Sequence, residues 1–213
     1  DTLARDYPLV RIKYALLIVL LPVLIAAFWL QFQYFSSLKA NVITSCCGSM
    51  FSNEAKSLAS EVSGMEAKPA LWLFYVGMLL ATALSLLHWR RPTPLGGGLL
   101  AVLSGGAFVV ALTGVLSFIS LYIYEHPHHH CPFCILKPEY DYRGYALYIP
   151  LFVAVAAGLG AGAMQPFARI ASLRDVIPAV SSRLAGLAAA GFVVFTIVAS
   201  WFVISSKLIL IES

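Results

Sequence analysis

Five long apolar stretches, broken only by isolated polar residues, organise this chain. They run from about Tyr14 to Phe35, Ala70 to Trp89, Gly98 to Tyr124, Tyr145 to Phe167 and Leu184 to Leu210. Runs of roughly 20 apolar residues have the length a helix needs to cross a bilayer. In hydrocarbon every backbone polar group must be paired within the chain, which favours helices, and the alternating pattern of a membrane β-barrel is absent. The expected fold is therefore an all-α integral membrane protein, a single membrane domain over residues 1–213 with five transmembrane helices in a bundle. The first run is too long for a signal-peptide core and no small-residue cleavage site follows it, so it reads as a retained span.

The connections divide into two sets. Residues 36–69 and 125–144 form two loops on one side. In the first, Ala55, Leu58, Ala59, Val62 and Met65 recur at helical spacing between Glu54, Lys56 and Glu61. That pattern predicts a short amphipathic helix over 52–65, lying on the membrane surface. The second loop ends in Glu139-Tyr-Asp141-Tyr-Arg143-Gly-Tyr145, an aromatic and charged stretch suited to the headgroup region. On the other side, Pro92 to Gly98 reads as a turn and Arg169 to Arg183 as an interfacial helix. Small-residue patches at Gly105-Gly106, Gly158 to Gly162 and Ala185 to Gly191 permit close helix packing.

Composition agrees with this reading and charge orients it. Hydrophobic residues make up 60% of the chain, charged residues 11%, and the mean hydropathy is +0.85; a soluble domain carries about 25% charged residues. Arg11, Lys13 and the Arg90-Arg91 pair abut helix ends on one side, while Glu54, Glu61, Glu66, Glu125, Glu139 and Asp141 collect on the other. Basic residues favour the cytoplasmic face. The expected topology is a multi-pass protein of the cell inner (plasma) membrane, N-terminus cytoplasmic and C-terminus extracytoplasmic, with loops 36–69 and 125–144 outside. The spans carry almost no charge, which argues against a pump or a charged-solute transporter. Membrane lipid is the expected surrounding, and no feature points to nucleic acid.

All four cysteines then share the outer face. Cys46 and Cys47 follow the first span, and Cys131 and Cys134 close the run His126-Pro-His128-His129-His130-Cys131-Pro-Phe-Cys134. An extracytoplasmic compartment permits disulfides. A Cys-Pro-x-Cys pair at a helix start forms a small redox-active ring whose first thiol is acidified by nearby N–H groups, and His130 would tune it further. No βαβ pattern surrounds it, so a thioredoxin fold is not expected. Adjacent cysteines are harder to bridge, because their Cα atoms lie about 3.8 Å apart where a disulfide prefers about 5.5 Å. They suit a soft metal, or partnership with two other sulfurs. As metal ligands, Cys46, Cys47, Cys131 and Cys134 with His126, His128, His129 and His130 would hold copper or zinc. A structural disulfide is the plain alternative, and His88 reads as a satisfied interfacial histidine.

The order of these features resembles the bacterial homologues of vitamin K epoxide reductase and, more loosely, the DsbB-type membrane quinone reductases. In this chain a cysteine pair follows the first span, the expected surface helix comes next, then two spans, and a Cys-x-x-Cys stands at the entry to the fourth. The resemblance implies a four-helix core around a quinone with an additional span. It implies that Cys131 and Cys134 are the quinone-proximal redox pair and that Cys46 and Cys47 exchange with an extracytoplasmic thioredoxin-like partner. The chain departs from that pattern in two ways: its loop cysteines are adjacent, and four histidines precede Cys131. Two functions follow. One is a membrane thiol–disulfide oxidoreductase, an enzyme passing electrons between a thioredoxin-like protein and a quinone. The other is a non-enzymatic copper- or zinc-handling protein, or an accessory subunit of a larger membrane complex.

Overall fold

The computed structural model of the chain describes residues 6–37, 67–126 and 131–208. Helices α1 (Val10–Ser37) and α2 (Ala67–Arg90) come first. The third span consists of α3 (Pro94–Gly114), a π-helical segment (Val115–Ile119) and α4 (Ser120–Tyr124). Then come α5 (Arg143–Ala163) and α6 (Val176–Ser205). No strand occurs among the described residues. Five helical stretches, residues 10–37, 68–90, 94–124, 143–169 and 176–205, are long and apolar enough to cross a membrane. The expected surface helix over 52–65 lies outside the described residues.

Among the boundaries that differ from the hydropathy pattern, two have a plain local reason. The third span starts at Pro94 rather than Gly98. Thr93 caps it, its Oγ1 accepting the Gly96 N–H at 3.1 Å, and Pro94 occupies the first helical position, where a missing N–H costs nothing. The expected turn therefore shrinks to residues 91–93. The fifth span starts at Val176 rather than Leu184, because Pro178 falls in the first turn, where proline is tolerated. The stretch before it is not an interfacial helix but two short 3-10 turns, Gln165–Arg169 and Ala171–Leu173.

Helices α2, α3, α5 and α6 form a closed antiparallel ring in which α2 packs on α3, α3 on α5, α5 on α6, and α6 back on α2. Phe74 from α2, Phe118 from the π segment, Leu151 from α5 and Phe195 from α6 are fully buried at its centre. The Phe74 ring meets Phe118 edge-on at 5.5 Å and Phe195 at 5.7 Å, an arrangement that aromatic quadrupoles favour. Extensive packing stops at these four. None of the residues of α1 is buried; at the foot of α1, Leu9 touches the cluster around Leu173 and Ile177. The expected bundle of five is thus a ring of four with the first helix outside it.

Small residues set the closest approach, between α3 and α5. A Cβ added at Gly158 would lie 2.0 Å from Ser104 Oγ, and one at Gly162 would lie 2.3 Å from the Ala101 Cβ. The Gly158–Gly162 patch therefore packs as expected. Gly105 and Gly106 do not, since nothing lies within 4 Å of a Cβ built there. At the ring's far end, His88 is buried and its Nε2 lies 2.8 Å from Ser181 Oγ, which donates to the Ala161 carbonyl. Gln165 Nε2 donates to the same serine at 2.9 Å. His88 is thus a core residue tying α2 to α6.

Candidate functional site

The Cys131–Cys134 motif sits at the other end of the ring, between α4 and α5. Glu125 ends α4 in a left-handed conformation (φ 53°). Two 3-10 turns, Cys134–Leu136 and Pro138–Tyr140, fold the chain back over the bundle. Asp141 and Tyr142, at φ 53° and 54°, then turn it into α5. Gly144 makes the fold-back possible: an added Cβ would stand 2.8 Å from Leu136 Cδ2 and 3.0 Å from the Ile135 carbonyl oxygen. The motif was expected at a helix start. Instead its last residue, Cys134, opens a three-residue 3-10 turn, nine positions before α5 begins, and a single such turn lacks the aligned peptides of a helix macrodipole.

Both cysteines are buried, with 1% of Cys131 and 4% of Cys134 exposed, and they belong to the main apolar core. No disulfide joins them. Two tyrosines from different helices hold the backbone of the motif. Tyr124 Oη, from α4, donates to the Cys131 carbonyl. Tyr148 Oη, from α5, donates to the next carbonyl, that of Pro132, at 2.7 Å. The Tyr124 ring is itself packed edge-on against Tyr140 at 4.6 Å.

Directly beside the motif is a cavity of about 350 Å³. Phe108, Leu112 and Leu116 form one wall, Tyr148 and Phe152 another, and Pro132, Phe133 and Leu136 the roof. The two residues between the cysteines are therefore part of the cavity. Its walls are apolar and largely aromatic, and the Tyr148 hydroxyl is turned to the Pro132 carbonyl. A volume in this range, with apolar walls and few polar groups, suits a small flat apolar molecule. Leu116 reaches it from the π-helical segment, a helix distortion that is frequent at functional sites.

Comparison with models of known protein families, with curated proteins and with solved structures finds no match to this chain.

Of the expected site residues, the described structure places three. Cys131 and Cys134 come together in the core, while His126 is exposed and its backbone N–H donates to the Leu121 carbonyl at 3.3 Å. Cys46, Cys47, His128, His129 and His130 lie outside the described residues. Among those described, no three His, Cys, Asp or Glu side chains form a group that could hold a metal ion. Sequence reasoning missed Tyr124, Tyr148 and Gly144. The available signal was Tyr124 ending the third apolar run and Tyr148 near the start of the fourth, either of which reads equally well as an interfacial aromatic.

The two tyrosine bonds carry a prediction. The buried thiols become reachable only when the loop opens, and an unpartnered buried carbonyl costs about 1–3 kcal/mol. Tyr124→Phe and Tyr148→Phe should therefore each speed alkylation of Cys131 and Cys134 by about tenfold or more, as expected for local opening. Trapping with a mass-changing maleimide over a time course measures this, and rates equal to wild type would mean the hydroxyls do not hold the loop.

Proposed function

We propose that this chain is a multi-pass membrane thiol–disulfide oxidoreductase whose electron acceptor is a quinone. The observation that carries the reading is the buried Cys131–Cys134 pair over an apolar, aromatic-walled cavity, with Pro132 and Phe133 between the cysteines lining it. A metal-handling site would want its thiols open to the compartment that delivers the ion. A pair sealed in the core beside an apolar cavity fits an acceptor that arrives from the lipid.

A bound quinone supplies a two-electron, two-proton acceptor. Phe108, Phe152 and Phe133 would hold its ring by stacking and exclude water. Closure of the Cys131 and Cys134 thiols to a disulfide releases two electrons and two protons, matching that demand. The thiols are restored by thiol–disulfide exchange, in which Cys46 and Cys47 relay from a dithiol of an extracytoplasmic thioredoxin-like partner, whose sulfurs end as a disulfide. The orientation that puts these groups outside follows from the basic residues at the opposite helix ends.

The test is thiol trapping on protein purified under reducing conditions and then freed of reductant, with metal analysis of the same sample. Adding a short-tailed ubiquinone should convert Cys131 and Cys134 to a disulfide and yield one quinol per pair. Thiols that stay reduced with quinone and carry about one equivalent of copper or zinc, the stoichiometry of a single thiolate site, would overturn the proposal in favour of metal handling.

A further inference from the structure

A second cavity lies at the same end of the ring, on the α6 side, with a volume of about 320 Å³. Its lining is polar and charged rather than apolar. Arg143 and Glu125 face it, with Trp201 and Phe202 from α6 and the Ser205-Ser206 pair where α6 ends. Both charges sit at unfavourable places. Arg143 is the first residue of α5, where the unpaired N–H groups already make the helix end positive, and no acidic residue occupies that first turn. Glu125 lies by the end of α6, where unpaired carbonyls make the helix end negative and no basic residue occupies the last turn.

The protein fixes both charges all the same. The Arg143 guanidinium stacks on the Phe202 ring at 5.8 Å and lies 3.5 Å from the exposed Asp141 carboxylate. Glu125 holds a left-handed backbone (φ 53°), uncommon for a residue other than glycine, and its Oε1 accepts the Lys207 backbone N–H at 3.2 Å. A positive wall and a negative wall thus face one polar cavity at the ends of two antiparallel helices. One kind of ligand relieves both mismatches: a small zwitterion with its anion toward Arg143 and the start of α5, and its cation toward Glu125 and the end of α6.

We propose that this cavity binds the phosphoethanolamine headgroup of a membrane lipid. Phosphate is the anion that a guanidinium and helix N–H groups bind well. A primary ammonium has three N–H donors for the carboxylate and the free carbonyls, whereas the trimethylammonium of a choline lipid has none and a glycerol headgroup has no cation. Trp201, 66% exposed, stands beside the cavity near the helix end, the depth at which tryptophan meets headgroups. The site requires only that the helices lie in a bilayer and is independent of the redox reading.

The test is native mass spectrometry of the detergent-solubilised full chain, delipidated and offered an equimolar mixture of phosphatidylethanolamine, phosphatidylcholine and phosphatidylglycerol. The ethanolamine lipid should be retained about tenfold over either competitor, the scale of one charge-assisted hydrogen bond. Glu125→Gln should erase its advantage over the choline lipid. Arg143→Gln should weaken retention of the ethanolamine lipid, and Arg143→Lys should restore part of it. Equal retention of the three lipids by the wild-type chain would overturn the proposal. So would a preference that survives both neutral substitutions, or water-soluble glycerophosphoethanolamine competing as well as the lipid.

Discussion

Replacing either Cys131 or Cys134 with serine should abolish quinone reduction while leaving the fold intact. The chemistry requires both sulfurs, because a lone thiol has no partner with which to close a disulfide and release the second electron. Loss of either should lower the rate with dithiothreitol as electron donor on the order of a thousandfold or more, the scale on which removal of a covalent catalytic group acts. The two effects should not add. The double variant should be no slower than either single one, as expected for groups acting as a unit. Serine is close in size to cysteine, so the cost to stability is the burial of one hydroxyl, about 1–3 kcal/mol if unpaired. The measurement is quinone absorbance against time, with a thermal melt of each variant as control. A structural role for the pair gives the reverse result: quinone turnover persists in whatever protein remains folded, and the melting temperatures fall by more than the burial of one hydroxyl accounts for. Turnover in the Cys131→Ser, Cys134→Ser double variant would place the redox chemistry elsewhere.

Hydropathy is a local property, and what it could report was legible. The five apolar runs became the five long helices, and the motif connecting the third to the fourth was visible as a candidate site. Helix starts were less legible where two signals competed. Thr93-Pro94 reads as a turn because proline breaks structure, yet threonine before proline is also a cap followed by a first helical residue. Arg169 to Arg183 reads as a separate interfacial helix, although its second half, from Val176, is already α6. Facts of tertiary packing left no mark at all. Nothing in Val115–Ile119 announces a π-helical segment, and nothing in α1 announces that its residues stay outside the ring. The candidate site follows the same division. The spacing of Cys131 and Cys134 was plain, but the cavity is assembled from α3, the π segment, the motif and α5. The tyrosines that hold the motif come from two helices, 7 and 16 positions away from the carbonyls they bind. Glycines show the limit most clearly, since Gly105-Gly106 and Gly158–Gly162 look alike in sequence and only the second pair is packed.

That contrast gives the largest expected effect on stability. Gly162→Val should lower the melting temperature of the detergent-solubilised protein by roughly 10 °C or more, while Gly105→Ala should leave it unchanged or slightly raised. Between apolar helices in lipid no hydrophobic force drives contact, so close packing of backbones through small residues contributes much of the association. At Gly162 even the first added carbon would sit 2.7 Å from the Gly97 carbonyl oxygen and 2.3 Å from the Ala101 Cβ. Neither neighbour can swing aside, since one is backbone and the other is fixed to it, so α3 and α5 must separate. Overpacking of this kind costs about 1–3 kcal/mol for a single added group, and the two γ-methyls of valine add to it. The same interface continues to the Phe108–Phe152 ring pair, 5.6 Å apart, in the wall of the apolar cavity proposed to hold a quinone. Separation of the helices there should also loosen quinone binding and raise the apparent KM of whatever protein stays folded. At Gly105 an added methyl meets nothing within 4 Å, and alanine in a helix interior is favoured over glycine by about 0.5–1 kcal/mol. The sign of the effect should therefore reverse between a glycine inside the α3–α5 contact and one outside it. An unchanged melting temperature for Gly162→Val would mean that α3 and α5 do not approach this closely, and the cavity that depends on their approach would fall with it.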